Sequence, residues 1–185
     1  MNPTLWRTCR TLANRTRLRL LRHLLLNPGL AVTEIAAELE LSPAVASKYL
    51  RELNARGLLL ATRRALKVFY RVSANQAVPQ AVVLIKALSG VLKNDKAPID
   101  LIYRKVTAFT HPRRVAIVAC LRRGPVRLVA LRRQLGISNS ALQRHLHKLA
   151  ARGFLKPDLN QGVYAVIPTG SALEMALLRA CAKIN

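Results

Sequence analysis

Ser42 to Leu60 reads SPAVASKYLRELNARGLLL, and Ser138 to Lys156 reads SNSALQRHLHKLAARGFLK, one pattern returning after 96 positions without a gap. Seven positions are identical: Ser42/Ser138, Leu50/Leu146, Leu53/Leu149, Ala55/Ala151, Arg56/Arg152, Gly57/Gly153 and Leu59/Leu155. Lys48 is answered by Arg144. A repeat at fixed spacing means two copies of one structural unit. Each copy opens on a serine, whose hydroxyl can accept a backbone N–H at a helix start. In the first copy Pro43 takes the first helical position, where a missing N–H costs nothing. The apolar residues then recur at helical spacing, and Ala-Arg-Gly closes the helix before a strand-like run.

Working back from the first copy, Leu12, Leu18, Leu20, Leu21, Leu24 and Leu25 lie at helical spacing with Arg15, Arg17, Arg19 and Arg22 interleaved. Asn14 is the expected N-cap and Asn27-Pro28-Gly29 the expected end. Thr33 is expected to cap a short helix carrying Ile35, Ala36 and Leu39 inward. A turn at Glu40-Leu41 leads to Ser42, which gives helix, turn, helix. On the second helix Val45, Ala46, Tyr49, Leu50 and Leu53 are expected to pack inward, leaving Pro43, Ala44, Ser47, Lys48 and Arg51 outside. Leu58 to Thr62 and Val68 to Val72 then read as two strands, with Arg63, Arg64 and Lys67 between them. A basic hairpin tip beside such a helix reads as a wing, placed to touch phosphates or a minor groove while the helix occupies a major groove. Gln80 to Leu92 reads as a further apolar helix, and Lys93 to Pro98 as a linker.

The second half follows the same plan. Leu101 to Phe109 reads as an opening helix, and Thr110 to Arg114 stands where Ala13 to Arg17 stood. Leu128 to Leu135 is the first helix of the second pair, and Ser138 caps the next. There Leu142, Leu146 and Leu149 are expected inside, and Asn139, Ser140, Gln143, Arg144 and His147 outside. The second wing, Lys156 to Gly162, carries one base, one acid and a proline, so it should hold phosphates less well than the first. Ser171 to Lys183 reads as a closing apolar helix. The expected fold is therefore mainly α with small β-hairpin wings, a tandem winged helix-turn-helix in pseudo-two-fold arrangement. Its expected division is residues 1–92, a linker 93–98, and residues 99–185.

Charge points to a polyanionic partner. The 185 residues include 31 Lys or Arg and 8 Asp or Glu, a net charge of +23 with a pI near 11.6. Residues 1–92 carry 14 basic and 4 acidic groups, and residues 93–185 carry 17 and 4, so neither half is a neutral regulatory module. A hydrophobic content of 51% supplies a packed core and argues against basic disorder. Arg22, Lys86 and Arg179 interrupt the longest apolar runs below the roughly 18 residues a membrane span needs. Trp6, Arg7 and Arg10 stand where a signal peptide would place its apolar segment. Both features lead to the expectation of a cytoplasmic, nucleoid-associated chain. Cys9, Cys120 and Cys181 are widely spaced, form no closed disulfide framework and lack CxxC spacing, so buried thiols are expected.

The stretch LANRTRLRLLRHLL…VTEIAAELELSPAVASKYLRELNARGLLLATRRALKVFYRV, Leu12 to Val72, resembles the ArsR family of winged-helix repressors, and a weaker copy covers Phe109 to Val166. The resemblance implies an intramolecular pseudo-dimer, with the helices around Leu5 to Thr11, Gln80 to Leu92, Ile99 to Phe109 and Ser171 to Lys183 as the pairing surface. It does not carry over the family's metal sensing. The family's arsenic site resembles Cys-Val-Cys on the short helix, where this chain has Ala31-Val32-Thr33. Its other metal site uses paired Asp and His on the last helix, and neither Gln80 to Leu92 nor Ser171 to Lys183 holds either.

The residues expected to meet double-stranded DNA are thus Pro43, Ala44, Ser47, Lys48, Arg51, Arg63, Arg64 and Lys67, with Asn139, Ser140, Gln143, Arg144 and His147. Arg and Lys suit guanine edges, and Asn and Gln suit adenine. Tyr49 and His145 are read as packing residues. No Gly-rich phosphate loop, Gly-x-Ser-x-Gly, ligand cluster or carboxylate pair suggests an enzyme, a metal or a cofactor. A sequence-specific regulator, acting as a monomeric pseudo-dimer or a homodimer, is the leading expectation, and an architectural DNA-coating protein the alternative. A protein-interaction module would need no such charge, and few aromatics argue against RNA stacking platforms.

Overall fold

The repeat becomes two copies of one element series. In the computed structural model, which describes residues 4–94, 98–158, 162–168 and 170–181, the first copy runs α1 (Leu5–Leu12), α2 (Arg15–Leu26), α3 (Val32–Glu38), α4 (Pro43–Asn54), β1 (Leu59–Arg64), β2 (Lys67–Val72) and α5 (Pro79–Leu92). The second runs α6 (Ile99–Thr107), α7 (Pro112–Leu121), β3 (Val126–Arg127), α8 (Leu128–Leu135), α9 (Asn139–Ala150), β4 (Leu155–Asp158), β5 (Val163–Val166) and α10 (Ala172–Cys181). The fold is helix-rich with small antiparallel hairpins, a tandem winged helix-turn-helix. Of the expected linker, residues 95–97 lie outside the described residues, as do residues 159–161 of the second wing and Lys183.

Local chemistry sets the helix starts. The Asn14 side chain accepts the Arg17 N–H at 2.9 Å, Ser42 accepts that of Val45 at 3.3 Å, and Ser138 that of Ala141 at 3.4 Å. Each satisfies a donor that the first helical turn leaves free, worth about 1 kcal/mol. His111 takes the place of Asn14 in the second copy, its Nδ1 accepting the Arg113 N–H at 3.1 Å.

Several expectations need correction. Thr33 is not a cap: it lies inside α3, which starts from Ala31, whose N–H donates to the Glu34 carboxylate at 2.6 Å. Leu12 belongs to α1, because the chain turns at Ala13-Asn14 before α2. Val45 faces solvent at 37% exposure, so the inner face of α4 is Ala46, Leu50 and Leu53 with Tyr49 half-buried. Val45 sits in the first turn, where helical spacing alone does not decide burial. Arg63, Arg64 and Lys67 end the two strands instead of joining them, and only Ala65-Leu66 form the loop, Ala65 at φ 51°. The second sheet gains β3, in the order β3-β5-β4, where the first copy has an isolated bridge from Ala31 to Phe69.

The halves share one continuous hydrophobic core. Helix α1 packs on α6 and α5 on α10, which are equivalent elements of the two copies. Helix α2 packs on α6, and its counterpart contact, α7 on α1, is also made. Exchanging the copies therefore maps these helix pairs between the halves onto one another, as an isologous pair requires. Arg15 on α2 pairs with Asp100 on α6 and lies 4.2 Å from the Tyr103 ring centroid. Phe109 and Phe154 meet edge to face at 4.8 Å in the second half. Cys9 and Cys181 are buried, and burial pushes both thiols up, Cys181 to about 12, the behaviour of packing residues, whereas Cys120, also expected inside, is only half-buried.

Candidate nucleic-acid interface

Each copy presents one capped helix with a polar outer face. On α4, Pro43, Ala44, Lys48 and Arg51 are exposed and Ser47 is half-buried; Arg51 Nε donates back to the Ser47 carbonyl at 3.4 Å. On α9, Asn139, Ser140, Gln143, Arg144 and His147 are all exposed. The opposite stripes, Ala46, Leu50 and Leu53 on α4 and Ala141, Leu142, Leu146 and Leu149 on α9, are buried, so both helices are held by their apolar sides.

The first wing brings Arg63, Arg64 and Lys67 together at its end, all exposed, with Leu66 at the tip 92% exposed. The Arg64 guanidinium lies 5.8 Å from the Phe69 ring centroid. Among the described residues, none of Lys48, Arg51, Arg63, Arg64, Lys67 and Arg144 forms an ion pair with an acid. Clustered cations without acidic partners repel one another and favour a polyanion in contact with them.

Sequence reasoning passed over a second set of cations. Arg132 and Arg133, on the last turn of α8, are exposed, as are Arg122, Arg123 and Arg127 just before it. Helix α3, the equivalent of α8, carries Glu34 and Glu38 and no cation. The signal was present in the Arg122-Arg123 and Arg132-Arg133 doublets. It was masked because helical periodicity assigns these residues only to a solvated face. The second copy thus carries exposed cations on α8 where the first carries acids on α3.

Behind the outer faces the two copies hold their helices differently. In the first, the Arg17 guanidinium donates to the Thr11 carbonyl and to the Glu52 carboxylate, and lies 5.2 Å from the Tyr49 ring centroid. It therefore ties α4 to the α1–α2 junction. In the second, Arg114 occupies the same place and is buried: Nε donates to the Ala108 carbonyl at 2.6 Å, and Nη2 to the Thr107 carbonyl at 3.1 Å and Thr110 Oγ1 at 2.6 Å. The repeat puts Lys148 where Glu52 stands and His145 where Tyr49 stands. Arg114 consequently has carbonyl and hydroxyl acceptors but no acid, and burial followed by the nearby Arg152 lowers its pKa. The His111 and His145 rings lie 4.6 Å apart, tilted by 38°, and among the described residues buried His145 Nδ1 has no hydrogen-bond partner. Burial first, and then His111, pushes His145 down to about 4.

The far end of α9 is also pinned. Arg104 Nη2 donates to the Ala151 carbonyl at 2.8 Å and Lys105 Nζ to the Arg152 carbonyl at 3.0 Å. Cations on the last carbonyls satisfy free acceptors and complement the helix dipole. Lys105 also pairs with Glu174 of α10 at 2.6 Å.

Comparison with known families fits this geometry. Residues 14–59 match a family model described as winged helix-turn-helix DNA-binding, and residues 109–158 match one described as a helix-turn-helix domain. The matched segments cover α2 to α4 and α7 to β4. No curated protein and no solved structure matches the chain. Among the described residues, no group of three or more His, Cys, Asp and Glu gathers to hold a metal, and no helix is long and apolar enough to cross a membrane.

Proposed function

We propose that the chain is a transcription regulator of the ArsR-like winged-helix type, a repressor in which the two protomers of a dimer are fused. Its DNA-binding units are residues 1–92 and 99–185, joined through residues 93–98. One observation carries the reading: two capped helices with different exposed side chains belong to halves that meet through equivalent helices, α1 with α6 and α5 with α10. Each would enter a major groove. Lys48 and Arg51 of α4 and Arg144 of α9 suit guanine O6 and N7, while Asn139 and Gln143 suit adenine. The first wing and the cations of α8 would take phosphates, which fix position without reading sequence. Because Ser47 is answered by Gln143 and Arg51 by His147, the half-sites differ and the operator is not a palindrome. The protein works in the cytoplasm, on the nucleoid.

The net charge of +23 favours a second reading, an architectural protein that coats DNA with little sequence preference. Selection of binding sites from random DNA at near-physiological salt separates the two. A regulator returns an asymmetric site with half-sites about 10 base pairs apart, bound about a thousandfold more tightly than scrambled duplex. A perfect palindrome refutes the non-identical half-sites. Tight binding without enrichment establishes the architectural reading.

A further inference from the structure

Helices α5 and α10, one from each half, pack together but leave an open groove of about 630 Å³ along their outer side. Its walls are apolar, with Val83 and Val91 from α5 and Ala172 and Met175 from α10, and Met175 is 36% exposed. Two cations stand in the lining, Lys86 from α5 and Arg179 from α10, and no acid does. Both are exposed, and neither has a hydrogen-bond or ion-pair partner among the described residues.

Gly90 lines the groove. It sits within α5, where glycine costs about 0.5–1 kcal/mol relative to alanine. A Cβ added there meets nothing within 4 Å, so neither a turn nor a close approach requires glycine. A large side chain at this position would project into the open space of the groove.

We infer that this groove binds a small amphipathic monoanion, an aliphatic or aromatic carboxylate or sulfonate, with its apolar body along α5 and α10 and its anionic head between Lys86 and Arg179. The volume lies within the roughly 300–1,000 Å³ of small-molecule sites. The charge complementarity selects an anion over a cation or a neutral lipid. It also disfavours a second copy of the chain, since seating this face on itself would crowd two pairs of unpartnered cations along an apolar seam in a chain of net charge +23. The site lies away from the outer faces of α4 and α9, and the inference does not depend on the proposed function.

The test uses the full chain without DNA. 1-Anilinonaphthalene-8-sulfonate is titrated by fluorescence and displaced with dodecanoate or with dodecyltrimethylammonium, both below micelle formation. The expected result is one saturable site from which dodecanoate displaces the probe at least tenfold better than the cationic amphiphile. Gly90→Phe, which fills the groove, should weaken binding at least tenfold without lowering Tm. The double variant K86S/R179S, which changes only exposed side chains, should abolish the preference for dodecanoate, and it carries the test alone if Gly90→Phe fails to fold. Non-saturable binding, equal displacement by both amphiphiles, or unchanged affinity in K86S/R179S would overturn the inference. So would a concentration-dependent dimer, seen by sedimentation, that Gly90→Phe dissolves while the wild-type chain binds no probe.

Discussion

Lys148→Glu should stabilise the protein, although it removes one of the cations that characterise the chain. Arg17 and Arg114 occupy equivalent places, and each donates Nε to a backbone carbonyl at the end of the preceding helix. Arg17 then uses Nη1 on Glu52, whereas Arg114 directs Nη2 to Thr107 and Thr110, and the repeat puts Lys148 at the position of Glu52. Glutamate at 148 supplies the absent acceptor and removes a like charge that bears on His111. A hydrogen bond to a charged group contributes about 1.5–3 kcal/mol when buried. Lys148 is exposed, so screening and side-chain ordering reduce this to about 1 kcal/mol. In a domain of this size that raises Tm by about 2–4 °C, measured by thermal unfolding at neutral pH and low salt. The reciprocal Glu52→Lys leaves Arg17, whose side chain is only 14% exposed, against a cation, and should cost about 1–2 kcal/mol. An unchanged or lower Tm for Lys148→Glu, or the same gain when Arg114→Met is already present, would show that the two arginines are not equivalent and refute the reasoning.

Replacing Arg63, Arg64 and Lys67 together by Gln should flatten the slope of log affinity for DNA against log salt by up to about 3, as each lost phosphate contact removes about 0.9; Lys156→Gln should change it by less than one contact. His145 is held neutral to about 4 in the fold, so between its ordinary 6.5 and 4 only the unfolded chain takes up the proton. Stability is therefore lost as pH falls through that window, by at most about 3 kcal/mol, and denaturant titrations of His145→Phe at pH 7 and pH 4.5 should show a smaller loss than the wild type. Gly57 and Gly153 both hold positive φ, 71° and 77°, but a Cβ at Gly57 meets Val78 at 3.1 Å whereas one at Gly153 meets only the end of Lys105. Gly57→Ala should cost about 2–3 kcal/mol and Gly153→Ala about 1–2 kcal/mol, and equal losses in urea would contradict the contact argument.

The fold was legible because its decisive signals are local. A serine cap, a leucine stripe and Ala-Arg-Gly need no distant partner to be recognised, and their recurrence after 96 positions supplied the second unit. Errors arose where tertiary context decides. Thr33 has capping chemistry, but Glu34 reaches back to Ala31 first; Val45 fits the helical stripe but stays exposed while its neighbour Ala46 is buried. Strand β3 is two residues long and exists only through pairing with β5. The outer faces of α4 and α9 followed from periodicity, whereas the basic α8 and the acid-free Arg114 needed the two copies laid side by side in space. The groove of α5 and α10 was invisible to sequence, because it forms only where helices from the two halves meet.

The contact of α1 with α6 and of α5 with α10 within one core has a kinetic and evolutionary side. Two separate chains paired through such surfaces would part on dilution, and their occupancy of a two-part operator would rise with the square of concentration at low levels. Here the partners are synthesised together and fold against each other, so on the proposed function operator occupancy rises in first order however few copies exist. A substitution in a two-chain pair also strikes both surfaces at once, whereas this chain can alter one reading helix and leave the other untouched. Glu52 and Lys148, or Tyr49 and His145, are differences that two identical chains could not carry.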